Sequence, residues 1–414
     1  MGDGPPAAAR SPTVRQCAIL AGGLGTRLGA LTEHTPKPIL PCGGRPFLAW
    51  LMREFQRFGV SEFVLLTGHL SDRVGETLRE IERHLPRPAR IVVAEEPVRA
   101  GTGGALHHAR DRLDDRFLLC NGDSLFDCNL GLLLEAACRD SDAVAGRIVL
   151  RRMEDASRYG VVDLDGDRVT AFRARPAPGT AGLINGGVYL FDRRVTERLA
   201  PQCSLEADVM PALAAAGQLR GQVADGYFRD IGVPEDFARA QEELPRRLRR
   251  KALFLDRDGT INRDYGWVGT RERFDWMPGA IEAIRMATAA GWHVFVVTNQ
   301  SGVARGFYDE EGLADLHAWM CDEVRRHGGT VDDIRYCPFH EDAVVPAYRR
   351  ASDWRKPGPG MILDLIARWE LDPSDCVLVG DQPTDMAAAA AAGIAGRLFP
   401  GGDLSRFVTP ILRP

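Results

Sequence analysis

The sequence predicts an α/β protein of two domains, and three observations carry that expectation. A chain of 414 residues exceeds what one ordinary core fills and suits two domains of roughly 150 to 250 residues. Apolar runs of strand length alternate with helical patterns along its whole length, which argues for sheets covered by helices. The polar stretch Gln241–Arg250 (QEELPRRLRR) interrupts that alternation before a fresh apolar run, and marks a linker. The expected divisions are a flexible tail over 1–15, a first domain over 16–240, the linker over 241–250, a second domain over 251–400 and a C-terminal tail over 401–414.

In the first domain, Cys17–Leu20, Phe63–Thr67, Ile91–Ala94, Phe117–Cys120 and Val188–Phe191 read as strands of a mostly parallel sheet. Pro46–Phe58 has helical apolar spacing that Gly59 ends. In the second, Ala252–Leu255, Trp292–Thr298, Ile334–Tyr336 and Cys376–Val379 read as strands of a separate sheet. The alanine run Met386–Ala392 suits a helix packed closely on that sheet, with Gly393 as its stop.

Hydrophobic content of 45%, charged content of 26% and a formal charge of −5 describe a globular chain without the basic field that nucleic acid requires. The N-terminus lacks the apolar core of a signal peptide and no stretch reaches membrane-spanning length. The nine scattered cysteines suit a reduced, cytoplasmic protein. The expected partners are small molecules, with no nucleic acid and no membrane; a homo-oligomer is compatible. Phosphate binding in such a chain must be local, in pockets where metal ions supply positive charge.

Two motifs carry chemistry. Gly22-Gly23-Leu24-Gly25-Thr26-Arg27 follows the first strand, where bare backbone N–H groups can approach a phosphate. With Thr35-Pro36-Lys37-Pro38 and Gly44-Arg45-Pro46, residues 16 to about 236 resemble the sugar-phosphate nucleotidyltransferases, of the D-glycero-α-D-manno-heptose 1-phosphate guanylyltransferase type. The resemblance implies a Rossmann-like, GT-A-like mixed sheet and attack of a sugar 1-phosphate on the α-phosphate of a nucleoside triphosphate. Catalysis then needs positioning and charge neutralisation: Gly22, Gly23 and Gly25 cradle, while Arg27 and Lys37 carry charge. The resemblance further assigns Glu96, Gly101 and Gly103 to the nucleotide, Asn185, Gly187 and Glu206 to the sugar, and Asp123 and Asp230 to Mg²⁺. Relatives usually carry a Glu-Lys pair before Asn185; here Arg175 stands at the lysine position and the glutamate is missing. An ionised Glu96 accepts from the adjacent N1–H and N2–H of guanine, which favours GTP.

The second motif, Asp256-Arg257-Asp258-Gly259-Thr260, puts paired carboxylates at the end of an apolar strand. With Val297–Gly302, Ala304–Gly306, Arg355-Lys356-Pro357, Gly360-Met361 and Gly380-Asp381, residues 251 to about 400 resemble haloacid-dehalogenase-type phosphatases. The branch is that of heptose bisphosphate and histidinol phosphate phosphatases, which implies a HAD-like parallel sheet with a minimal cap. Asp256 is the expected nucleophile, Asp258 the acid and base, and Lys356 the charge neutraliser. Thr298 and Asn299 are expected to hydrogen-bond the phosphoryl group, and Arg305 and Arg355 to clamp a second phosphate or sugar hydroxyls. Asp256, Asp258 and Asp381 are assigned to a second Mg²⁺ site; Asp385 reads either as support for the metal or as a helix cap. Relatives often hold zinc with Cys-x-His plus Cys-x-Cys, whereas this chain has Cys337-Pro338-Phe339 and Ser352-Asp353-Trp354. No structural zinc is expected; Phe339 and Trp354 are expected to fill that loop.

The fusion implies removal of the 7-phosphate of D-glycero-α-D-manno-heptose 1,7-bisphosphate, then guanylyl transfer to give GDP-heptose. The alternatives are the same reactions on another sugar with UTP, dTTP or ATP, or one half serving as a non-catalytic scaffold.

Overall fold

The computed structural model describes residues 13–23, 25–68 and 70–413. Leu24 of the glycine motif and residues 1–12 of the expected tail lie outside the described residues. The chain divides into two compact units with the boundary between Leu248 and Arg249.

The first unit contains β1 (Gln16–Leu20), β2 (Pro41–Cys42), β3 (Arg45–Pro46), β4 (Glu62–Thr67), β5 (Arg90–Glu95), β6 (Arg116–Asn121) and β7 (Ser124–Phe126). It continues through β8 (Gly146–Met153), β9 (Val161–Asp165), β10 (Arg168–Arg173), β11 (Gly182–Asp192), β12 (Leu219–Ala224) and β13 (Phe228–Asp230). Nine strands form one sheet in the order β5-β4-β1-β6-β11-β8-β12-β10-β9, while β2–β3 and β7–β13 are short ribbons. Side chains alternate between its faces: Cys17, Ile19, Phe63 and Leu65 join one buried cluster, and Ala18, Val64 and Leu66 the other. Each fully buried Phe or Leu contributes about 1.5 to 3 kcal/mol.

The mostly parallel sheet is corrected here. Pairing is parallel from β5 to β6, but β11 runs antiparallel to both β6 and β8, and β10 is antiparallel to β9 and β12. This second half mixes the two pairings, since β12 runs parallel to β8 while β9 and β10 form a hairpin. The β9–β10 turn is Asp165-Gly166-Asp167, with Gly166 at φ +61°, a two-residue-hairpin signal in the sequence.

The second unit is a five-stranded parallel sheet of β14 (Ala252–Leu255), β15 (His293–Asn299), β16 (Asp333–Cys337), β17 (Cys376–Gly380) and β18 (Ala395–Leu398). The order is β16-β15-β14-β17-β18, so successive strands leave β14 in opposite directions. Ligands in open α/β sheets bind at the carboxyl ends of strands beside such a reversal.

Three boundaries differ from expectation. The polar stretch read as a linker is the end of helix Pro234–Arg247. Ala240, Leu244 and Leu248, four residues apart, are buried as one face of an amphipathic helix. Pro245 also packs on the β2–β3 turn, where an added Cβ on Gly43 would lie 2.5 Å from its Cγ. The tail read over 1–15 ends sooner: Val14 is buried, and Arg15 O accepts from Ser61 N and Glu62 N at 2.9 and 3.0 Å. At the other end, 401–414 is not a tail. Asp403 caps helix Leu404–Val408, whose Leu404 and Val408 enter the core of the second unit with Ile411 and Leu412 packed beside them.

Candidate active sites

In the first unit, the carboxyl ends of β1 and β6 open onto a cavity of about 290 Å³. It is lined by Gly22, Gly23, Gly25, Lys37, Glu96, Gly101, Asp123 and Glu206 among the expected residues, together with Thr102 and Asn121. Gly22 leaves room for the wall behind it, since an added Cβ would stand 3.2 Å from Gly68 N. Gly25 holds φ +63°, favoured by a residue without Cβ.

Charge is concentrated at one end. The buried Lys37 places Nζ 2.6 Å from Asp123 Oδ2. The β7–β13 ribbon aligns Asp230 with Ser124, and Ile231 N donates to Asp123 O at 2.9 Å, so the ribbon brings the two aspartates together. Burial and then the Asp123 charge push the Asp230 carboxyl up, against the pull of Lys37, the Gly232 N–H and Arg27. An added Cβ on Gly232 would lie 2.7 Å from Asp230 Oδ1, 3.1 Å from Arg27 Nη2 and 3.2 Å from Lys37 Nζ. Arg27 is exposed but belongs to this cluster. Paired carboxylates flanked by cations are a donor set that suits a hard cation carrying phosphate.

At the nucleotide end, Glu96 Oε2 accepts from Ala100 N at 3.1 Å. Its Oε1 would stand 2.5 Å from a Cβ added to Gly68, so glycine there makes room for the carboxylate. Gly103 does not line the cavity: its N–H donates to Cys203 O at 3.0 Å. Glu206 Oε2 accepts from Thr102 Oγ1 at 2.6 Å and from Ser204 Oγ at 3.0 Å. Asn185 and Gly187 stand behind the wall: Asn185 donates to Tyr189 OH at 2.7 Å. Gly187, at φ +71°, would bring a Cβ within 2.8 Å of Asn121 Nδ2. Arg175 is not among the lining residues; it is exposed in the loop after β10.

In the second unit, Asp256 follows β14 and Asp381 follows β17. Lys356 Nζ lies 2.8 Å from Asp256 Oδ1 and 2.6 Å from Asp385 Oδ1, and donates to Val297 O at 3.0 Å. Burial opposes the ammonium, but the two carboxylates prevail and raise its pKa. One ammonium cannot neutralise both acids, and Asp256 is pushed up to about 7, by burial against Lys356 and with Asp385 adding to the rise. Oxygens of Asp256, Asp381 and Asp385 lie within 4.8 Å of one another. Asp381 Oδ1 is shut off from solvent without a hydrogen-bond partner. An added Cβ on Gly259 would lie 2.3 Å from Asp381 Oδ2; that glycine, at φ +84°, lets the loop reach the carboxylate.

The assignment of Asp258 to the metal group is corrected: it stands outside that cluster, and Asp385 stands within it. Both Asp258 oxygens are occupied. Arg257 Nη2 donates to Oδ1 and Oδ2 at 3.0 and 2.9 Å, Asn262 to Oδ1 at 2.9 Å, and Gln300 to Oδ2 at 2.8 Å. Asp385 takes on both roles read from the sequence, since it also accepts from Gln382 N in a capping box. Asn299 and Lys356 exchange side-chain and backbone hydrogen bonds at 3.0 and 3.1 Å, and Thr298 accepts from Gln300 Nε2 at 2.8 Å.

Sequence reasoning missed Arg257, Asn262 and Gln300 as orienting groups. Arg257 and Gln300 lie inside the quoted motifs, at positions left without a role, and Asn262 lies two residues beyond the first of them. Arg257 is wholly buried and also meets His317 Nε2 at 3.1 Å.

Arg305 Nε and Arg355 Nη1 are buried without hydrogen-bond partners. Burial lowers the Arg355 pKa, and the Arg305 charge lowers it further. In the loop where relatives hold zinc, Arg350 stacks 3.7 Å over Phe339, and Phe339 and Trp354 pack against the core. Tyr336 and Tyr348 both donate to Glu310, at 2.5 and 2.8 Å. Among these residues Cys337 is buried, and burial raises its thiol pKa.

None of the nine cysteines is disulfide-bonded. Among the described residues, no helix is long and apolar enough to cross a membrane.

Comparison with known proteins places a family on each unit. The nucleotidyl transferase family model matches residues 17–247, and a HAD-hydrolase-like model matches residues 353–406. The chain is 52% identical over 164 residues to the D-glycero-beta-D-manno-heptose-1,7-bisphosphate 7-phosphatase of Rhodopseudomonas palustris, covering 40% of this chain and 91% of that one. It is 40% identical over 152 residues to the D-glycero-alpha-D-manno-heptose-1,7-bisphosphate 7-phosphatase of Burkholderia mallei, covering 37% and 80%. The crystal structure of HddC from Yersinia pseudotuberculosis matches with 30% identity and a TM-score of 0.50, over 56% of this chain and 99% of that one. With a family model spanning more than half of it and a relative covered almost end to end, the chain belongs to the nucleotidyl transferase family through its first unit and to the HAD-like phosphatases through its second.

Proposed function

We propose that the two units catalyse consecutive steps toward a nucleotide-activated heptose in the cytoplasm. The second unit removes the 7-phosphate of D-glycero-α-D-manno-heptose 1,7-bisphosphate. The first then transfers GMP from GTP to the heptose 1-phosphate, giving GDP-heptose and pyrophosphate. The observation that carries this reading is the pairing, in one chain, of a unit 52% identical to a heptose bisphosphate phosphatase with a nucleotidyltransferase cavity. The product of the first reaction is the class of substrate that the second consumes.

In the phosphatase step, Asp256 attacks phosphorus and the C7 oxygen leaves with a proton from Asp258. Asp258 then takes a proton from the water that cleaves the aspartyl-phosphate. Arg257, Asn262 and Gln300 keep Asp258 aimed, and Thr298, Asn299 and Lys356 bind the phosphoryl oxygens. Arg305 and Arg355 hold the phosphate that is retained. Asp256, Asp381 and Asp385 fit Mg²⁺, which when bound offsets the repulsion between carboxylate and phosphate.

In the transfer step, the heptose 1-phosphate oxygen attacks the α-phosphorus and pyrophosphate departs. Gly22, Gly23 and Gly25 bind the triphosphate through backbone N–H groups, Arg27 and Lys37 neutralise its charge, and Asp123 and Asp230 fit a second Mg²⁺. Glu96 reads the guanine edge, and Glu206, held by Thr102 and Ser204, faces the sugar.

The test is phosphorus NMR on the protein with Mg²⁺, each anomer of heptose 1,7-bisphosphate and each nucleoside triphosphate in turn. Phosphate release followed by pyrophosphate with GTP alone is expected, from the α anomer. Pyrophosphate with another nucleotide, or phosphate from the β anomer alone, would reject the base or the sugar respectively.

A further inference from the structure

Beside the phosphatase centre, Trp267 and Phe307 expose large apolar surface that folding would normally cover. Their rings stack with centroids 4.6 Å apart and planes 30° from parallel, yet Trp267 remains 46% and Phe307 60% exposed. Trp267 sits at φ +51°, a backbone region that a bulky side chain rarely occupies. Strain and exposure of this kind concentrate at ligand-binding positions.

The pair is fixed relative to the reacting groups. Tyr308 lies flat against two glycines, and an added Cβ on Gly269 or Gly302 would come within 2.1 or 2.4 Å of its ring. It thereby ties the loop after Trp267 to the loop after Arg305. Its hydroxyl donates to Gln300 Oε1 at 2.6 Å, and Gln300 donates to Asp258. Val268 O accepts from Arg257. The Arg305 guanidinium, whose Nε is buried without a hydrogen-bond partner, lies 5.6 Å from the Trp267 ring centroid, and its charge acts on Arg355.

We propose that Trp267 and Phe307 form an aromatic wall that receives the apolar C–H face of a pyranose ring, making the phosphatase unit selective for ring phosphates over open-chain phosphoesters. A sugar ring offers C–H groups on one face and hydroxyls at its rim, which matches an apolar wall flanked by an arginine. The proposal rests on the sugar-phosphate reading above and specifies how the ring is chosen.

The experiment compares kcat and KM for heptose 1,7-bisphosphate, a hexopyranose bisphosphate and open-chain glycerol 3-phosphate in the full chain and in Trp267→Ala, Phe307→Ala and Trp267→Phe. The expected result is a fall of about three- to tenfold in the ratio of kcat/KM for ring over open-chain substrates in each alanine variant. KM should carry the fall, and Trp267→Phe should restore most of it. An unchanged ratio, equal kcat losses on all substrates, or no ring preference in the unaltered protein would overturn the wall. If the unaltered protein does not favour the heptose over the hexose, the heptose assignment fails, while the ring-to-open-chain ratio still decides the wall.

Discussion

Asp385, wholly buried, pairs with the Lys356 ammonium at 2.6 Å. The same carboxylate closes the capping box of helix Pro383–Ala391, so one side chain serves the charge balance of the site and the start of a helix. Replacing it with alanine leaves a buried lysine with one carboxylate partner and opens the cap. Asp385→Ala should cost about 3 to 5 kcal/mol of stability, read by denaturant unfolding of the second unit, with loss of phosphate release.

The two centres hold separate carboxylate sets. Asp123→Asn should lower nucleotidyl transfer by about a thousandfold or more while phosphate release persists, and Asp256→Asn should do the reverse. Separate assays for pyrophosphate and phosphate check this. Loss of both activities from either change would rule out independent sites.

Because the Asp256 carboxyl is pushed up to about 7, much of it carries a proton at neutral pH. A metal ion needs the ionised form. Mg²⁺ affinity at the second unit should therefore rise as pH climbs through about 7 and level off above it, with a proton released on binding below that point. Calorimetric titration of Asp123→Asn protein, in buffers of different ionisation heat, reads the proton count; affinity independent of pH would contradict it.

Glu96 has one oxygen committed to Ala100 N. If the carboxylate reads guanine, Glu96→Gln should reduce kcat/KM for GTP by about ten- to a hundredfold and reduce ATP or UTP turnover far less. Equal losses across nucleotides would assign Glu96 to holding the loop instead.

The sequence made some parts of this molecule legible because the physics there is local. Strands such as Phe63–Thr67 and Ala252–Leu255 are continuous apolar runs, and the structure places them at Glu62–Thr67 and Ala252–Leu255. The β9–β10 hairpin was missed because its strands carry polar residues on an exposed face, although Asp-Gly marked the turn. For Arg175, motif order gives chain position, but a loop's path is set by packing that no motif records. Asp385 reads either as metal support or as a cap because spacing along the chain does not show which strand ends meet across a parallel sheet, whereas Asp258 is turned to Arg257, Asn262 and Gln300 by contacts that the motif does not record.

The packing of Pro245 against Gly43 has a practical consequence. Gln241 adds to it, accepting from Gly43 N and donating to Pro41 O, each at 3.0 Å. The last two turns of helix Pro234–Arg247 therefore act as a clasp on the first unit. Severing the polypeptide at residue 240 would undo the clasp, whereas a cut after Leu248 would release a transferase that keeps its own fastening.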